Sequence, residues 1–195
     1  SMGGWITLLA MRERHRLGKA SPKALVLIAP AVDFTEELMW KAFPESVKQK
    51  ILEEGVYHHP SAYGEPYPIT KKFIEDGRKH LMFGATITPH APVHILQGMK
   101  DPDVPVAHMQ RLLDHMPEAD VSVTYVKDGD HRLSRPEDLA LLERVGRGGD
   151  QILLDVEVGR RRAGHLDRLG IVEEFVRELL DRRRHRRGEQ QGLAL

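Results

Sequence analysis

The sequence predicts an α/β protein, a three-layer αβα sandwich built on a parallel sheet. Two observations carry the prediction. Ala24-Leu-Val-Leu-Ile-Ala-Pro30 is an unbroken apolar run of strand length, the pattern of a parallel strand covered on both faces. A helical stripe precedes this run, and further strand and helix patterns alternate after it, as in a doubly wound sheet.

Each element has its own signature. Trp5, Ile6, Leu8, Leu9 and Met11 give Gly3 to Leu17 a near-helical apolar stripe that Gly18 closes. Val93-His-Ile-Leu-Gln-Gly-Met99 reads as the next strand, ending at Gly98, and Lys100-Asp-Pro-Asp-Val-Pro105 as a turn. Val106 to Met116 follows as an amphipathic helix with Met109, Leu112, Leu113 and Met116 on its buried side. Val121-Ser-Val-Thr-Tyr-Val126 alternates with period two and runs into Asp128-Gly-Asp-His131. Arg135-Pro136 opens a helix through Val145, with proline tolerated in the first turn.

Between the first two strands, from about 32 to 91, the pattern changes. Short helical pieces (Glu36 to Phe43, Glu45 to Glu54, Thr70 to Phe83) are separated by Tyr57-His-His-Pro60 and Tyr63-Gly-Glu-Pro-Tyr-Pro68. An excursion of that length predicts a helical lid insertion over the site. Met39, Trp40 and Phe43 are its candidate substrate-binding residues, against the plainer reading that they pack the insertion onto the body. Residues 1–145 thus form the main body and 146–195 an extension. The extension holds a short strand pattern from Ile152 to Val158, an amphipathic helix from Ile171 to Leu180 and the basic run Arg182 to Arg187. That run reads as a solvated terminus.

Composition narrows the function classes. Apolar residues at 41% and charged residues at 30% fit an ordinary globular protein. Lys+Arg and Asp+Glu both number 29, so no nucleic-acid partner is predicted from charge. The absence of cysteine excludes disulfides, a thiolate nucleophile and cysteine-based zinc sites, and it suits a reducing, cytoplasmic setting. Ala24 to Val32 is too short to span a bilayer, so no membrane span is expected.

Three residues carry the candidate chemistry. Ser1-Met-Gly3, followed by a helix, is the right-hand side of a Gly-x-Ser-x-Gly nucleophile elbow. A Ser-Met pair can also be a remnant of cloning. A serine hydroxyl becomes nucleophilic when a base within reach takes its proton, and His131 is the candidate base. Asp101 is the candidate acid that would orient the imidazole; Asp103 competes, but Asp101 directly follows the strand end. In the order Ser1, Asp101, His131, all three emerge at the carboxyl ends of strands, where open α/β sheets place their sites. His58-His59 lacks a carboxylate-rich partner motif, so neither a metal nor a cofactor is predicted.

A family resemblance adds to this. The segments around Ser1 to Trp5, Leu27 to Pro30, Asp33 to Trp40, Tyr63 to Thr70, Ile95 to Pro105 and Asp128-Gly-Asp-His-Arg-Leu-Ser134 occur in one order. Together they resemble the bacterial α/β-hydrolases similar to the mitochondrial palmitoyl-protein thioesterase of the abhydrolase-domain group. The likeness covers roughly residues 1–145. It implies Ser1 as nucleophile, Asp101 as acid, His131 as base and the Met2 backbone N–H as one oxyanion donor. It also implies acyl esters or thioesters, including S-acylated proteins, as substrates of an acyl-protein thioesterase or serine esterase.

Two departures shape the expectations: the strands before the elbow are absent, and the segment after about Val145 has no counterpart in the resemblance. Such a hydrolase carries strands before its elbow, so the resemblance casts this chain as a truncated hydrolase. Ala24 to Pro30 is then expected to expose an unpaired sheet edge prone to self-association, and the chain by itself to take no fluorophosphonate label. A catalytically inactive α/β fragment acting as a binding module is the alternative function. An N-terminal-nucleophile hydrolase at Ser1 is a further reading, but that class needs a layered antiparallel core.

Overall fold

The strand marked as buried on both faces is so: in β1 (Ala24–Ile28), Leu25, Val26, Leu27 and Ile28 are all buried. The structure is a computed structural model and describes residues 1–61, 64–147 and 152–154. Before β1 comes α1 (Met2–Arg16). After it come a π-helical turn (Thr35–Trp40), α2 (Glu45–Glu54), β2 (Val56–Ser61), β3 (Gly64–Thr70) and α3 (Lys71–Arg78). The remainder is β4 (Val93–Gly98), α4 (Val106–Asp114), β5 (Val121–Val126), α5 (Pro136–Arg147) and β6 (Ile152–Leu154). The main sheet has the order β5-β4-β1-β6, and every neighbouring pair in it is parallel.

Alternate residues of a strand serve opposite faces, and β1 divides its side chains accordingly. Leu25 and Leu27 pack with Trp5, Leu8 and Met11 of α1 and with Met109 and Leu112 of α4. Val26 and Ile28 pack on the other side with Leu96, Val104, Leu133 and Leu142 of α5. Helices on both faces of a parallel sheet give the three layers expected. Each fully buried leucine contributes about 1.5–3 kcal/mol.

The insertion between β1 and β4 has its own small core of Ile51, Ile69 and Ile74, against which Met39, Trp40, Phe43, Val47 and Tyr57 pack. Three of its segments differ from the sequence reading. Val56–Ser61 and Gly64–Thr70, read as separators, are the strands of an antiparallel hairpin, with Tyr57 opposite Ile69 and His59 opposite Tyr67. Pro60, Pro66 and Pro68 argued against strands, but each strand of a two-stranded hairpin has a free edge where proline is tolerated. The piece read as helical from Glu36 to Phe43 is π-helical over Thr35–Trp40.

The open edge expected of β1 is a second correction. Among the described residues β1 has a neighbour on each side, since Ile152, Leu153 and Leu154 pair with Ala24, Leu25 and Val26. The backbone groups of a buried strand require partners, and the segment after α5 supplies them over those residues. The helix read from Ile171 to Leu180, the basic run and the rest of the extension lie outside the described residues.

Asp33 ties the two ends of the insertion together. Its buried carboxylate accepts the Met82 N–H at 2.8 and 2.9 Å and the Phe83 N–H at 2.8 Å. Its backbone adopts a left-handed φ of 56°, which asparagine and aspartate tolerate better than most residues. Asp33→Ala should therefore cost about 2 kcal/mol or more in urea unfolding, because two buried N–H groups lose their acceptor. Asp33→Asn should cost less; equal losses would show that the acceptor is not what matters.

Candidate active site

Ser1 stands at the N-cap of α1, yet its side chain makes no capping bond to the helix. Its position is fixed through the backbone. The α-amino group donates to the Ile28 carbonyl at 2.8 Å, and the Ser1 carbonyl accepts from Gly4 at 3.1 Å and Ala31 at 3.0 Å. Ser1 therefore sits at the carboxyl end of β1. Met2 is the first residue of α1, where backbone N–H groups have no carbonyl partner within the helix.

Asp101 and His131 lie past the carboxyl ends of the next two strands, β4 and β5. His131 Nδ1 meets Asp101 Oδ2 at 2.8 Å. A carboxylate only accepts, so Nδ1 carries the proton, and the neutral ring then holds its lone pair on Nε2. The other Asp101 oxygen accepts the N–H groups of Asp103 and Val104, both at 2.8 Å. Burial alone would raise the Asp101 carboxyl. The His131 hydrogen bond and the Val104 and Asp103 amides outweigh it, and the carboxyl is held below the ordinary aspartate value.

The bond to His131 belongs to Asp101, the residue favoured in the sequence, and Asp103 is exposed. Ligand atoms of Asp101, Asp103 and His131 lie within 4.8 Å of one another. A cation there would compete with His131 and two backbone amides for both oxygens of Asp101. His59 is engaged elsewhere, stacked on Tyr67 with ring centroids 5.4 Å apart and with Nδ1 2.8 Å from the Pro60 carbonyl.

Several supporting residues were not legible as such. Gly98 ends β4 where a Cβ would meet the carbonyl oxygens of Gly129 and Asp130 at 2.5 Å, so the histidine loop is seated against bare backbone. Gln97 is fully buried and donates to the Val104 carbonyl at 3.0 Å, bracing the aspartate turn. Ala29 and Leu133 have left-handed φ values of 42°, beside the Ser1 and His131 segments respectively. Strained backbone gathers at sites that must hold a fixed geometry. Phe34 and Leu38 of the insertion pack on the cluster containing Ala31, Val104 and Leu133. The predicted substrate-binding residues Met39, Trp40 and Phe43 pack on the insertion's own core.

Comparison with known proteins agrees with this architecture. No protein-family model matches the chain. The palmitoyl-protein thioesterase ABHD10, mitochondrial, of Homo sapiens is 31% identical over 144 residues, which are 73% of this chain and 45% of that protein. The Bos taurus protein of the same name is 33% identical over the same shares. A crystal structure from Agrobacterium vitis S4, assigned to the hydrolases, superposes with a TM-score of 0.70 at 40% identity, covering 76% of this chain and 58% of that one. The chain belongs to the α/β-hydrolase superfamily. Within it, this α/β-hydrolase is a relative of ABHD10 over part of that protein. Mouse alpha/beta hydrolase domain-containing protein 10 matches with a TM-score of 0.65 at 32% identity, over 76% of this chain and 58% of that one. The chain spans under half the length of the curated relatives it matches.

The depressed carboxyl of Asp101 generates a pH prediction. A carboxyl lowered in the folded state binds fewer protons there than in the unfolded chain. Its stabilisation is present in full above the ordinary carboxylate range and is lost as pH falls through the depressed value. Thermal unfolding from about pH 7 down to about pH 3 should show a shallower acid limb for Asp101→Asn than for the parent chain. An unchanged limb would mean that Asp101 contributes nothing to acid sensitivity.

Proposed function

We propose that this chain is a serine hydrolase that cleaves thioester or carboxylester bonds through an acyl-enzyme. The observation that carries the reading is the 2.8 Å contact of His131 with buried Asp101 beyond the same sheet edge at which Ser1 opens α1. In this mechanism His131 Nε2 takes the Ser1 hydroxyl proton as Oγ attacks the acyl carbonyl. Asp101 keeps Nδ1 protonated and stabilises the imidazolium that forms. The Met2 N–H, at the positive end of α1, donates to the developing oxyanion. His131 returns its proton to the departing thiol or alcohol, and water then releases the acid by the same steps in reverse.

The relatives' name, palmitoyl-protein thioesterase, supports S-acylated protein as the acyl-donating substrate, with water as the acceptor. The insertion serves as the lid in this reading, with Met39, Trp40 and Phe43 setting its acyl-facing shape. Burying each methylene of a chain is worth about 0.8 kcal/mol. Polar substitution of Trp40 or Phe43 should therefore reduce kcat/KM on a long-chain p-nitrophenyl ester more than on the acetate. Equal losses on both esters would restrict these residues to holding the insertion's core.

Labelling with a fluorophosphonate probe tests the activity itself. The chain should label, and Ser1→Ala or His131→Ala should abolish both labelling and ester turnover. Asp101→Asn should lower turnover by about 10⁴, as replacing the triad acid does elsewhere, and Asp103→Asn far less. A folded chain that does not label would favour a binding module over an enzyme.

A further inference from the structure

The bond between His131 and Asp101 depends on the shape of the loop between β5 and α5, and that loop is fixed from several sides. Its start is tied to the β4 end, with Met99 N–H on the Val126 carbonyl at 2.9 Å and Lys100 N–H on the Gly129 carbonyl at 2.9 Å. Its middle is an aspartate-centred turn in which Asp130 Oδ1 accepts the Arg132 and Leu133 N–H groups at 3.0 and 3.1 Å. Buried Leu133 anchors it in the core.

A further constraint is one guanidinium. Arg135 grips Asp138 in the first turn of α5 by two parallel bonds, Nε to Oδ2 at 2.9 Å and Nη2 to Oδ1 at 2.8 Å. The Arg135 backbone N–H adds a third contact to Asp138 Oδ2 at 3.1 Å. The same guanidinium reaches Asp128, which precedes His131 in the chain, at 2.6 Å from Nη1 and 3.3 Å from Nη2, and Nε lies 3.4 Å from Glu137. The two main carboxylates are unequal. The Asp138 side chain is 2% exposed and the Asp128 side chain 63%, so the first arm is shielded from water and the second is not. Arginine meets a carboxylate in this planar, paired manner; lysine does not.

We propose that Arg135 is a positioning residue for His131, bracketing the loop between Asp128 and Asp138 so that the imidazole stays against Asp101. This rests on the reading of His131 as the base. Arg135 touches neither substrate nor the reacting atoms in that scheme. It acts through the backbone on either side of His131, where a displacement of about 1 Å can cost on the order of 10²-fold in rate.

The test compares the full chain with Arg135→Lys, Arg135→Gln and Asp128→Asn. Three quantities are read: the NMR signal of the His131 Nδ1 proton without substrate, kcat and KM on a p-nitrophenyl ester, and the melting temperature. Arg135→Gln should broaden or abolish the proton signal and lower kcat by about 10–10²-fold, with KM within about twofold. Arg135→Lys should fall between it and the parent. Variants that melt earlier yet keep the proton signal and kcat would overturn the proposal and leave Arg135 as a cap of α5. Should Arg135→Gln fail to fold, Asp128→Asn decides alone: a weakened proton signal supports the bracket, and an unchanged one overturns it. If the parent turns over no ester, the hydrolase reading fails, while the proton signal still decides for or against the bracket.

Discussion

A strand with no solvent face is the constraint on which the remaining structure depends. Burying Leu25, Val26, Leu27 and Ile28 together demands a layer of helices on each side and a backbone partner along each edge. α1 and α4 meet the first demand on one face and α5 on the other, while β4 and β6 meet the second. The functional consequence lies at the end of β1, where the chain leaves the sheet. Ile28 holds the Ser1 amine there, and the ends of β4 and β5 deliver Asp101 and His131 to the same edge.

Two buried aspartates show how local donors decide charge in this molecule. Burial pushes both carboxyls up. Asp33, facing backbone amides and the nearby negative Glu37, stays above its ordinary value. Asp101 faces two amides and an imidazole, and is held below its ordinary value. The first arrangement fastens one segment to another; the second supplies a full negative charge beside a ring that can become positive. The same residue type is thus mortar in one place and a charge reservoir in the other, and the difference lies in the neighbours: a carboxylate near Asp33 and an imidazole against Asp101.

Much of this was legible because the relevant signals are local. Ala24 to Ile28, Val121 to Val126 and the helix at Glu45–Glu54 follow from runs and periods of apolar residues. Asp101 was separable from Asp103 because it directly follows the strand end. The hairpin was missed because its prolines imitate loop chemistry, and only pairing reveals that they lie on free edges. Gly98 was seen as a strand terminus, but its close approach to the Gly129 and Asp130 carbonyls joins residues far apart in the chain. Arg135-Pro136 was legible as a helix start, and the Asp138 carboxylate three residues on accepts the Arg135 N–H there, as in half of a capping box. Nothing in the spacing connects that pair to His131.

The sheet's wiring has a kinetic consequence. Leu25 finds its partner at Val93, and Ala24 finds a second at Ile152, so the central strand waits on the far parts of the chain. Closing such loops is entropically costly before any contact repays it, and parallel pairings of this kind form slowly. The β2–β3 hairpin pairs across a short turn and can form early with the cluster of Ile51, Ile69 and Ile74. Contact order therefore favours early ordering of the insertion over early pairing of the sheet that it interrupts. The carboxyl ends of β1, β4 and β5, where Ser1, Asp101 and His131 stand, belong to the part of the fold with the most distant pairings.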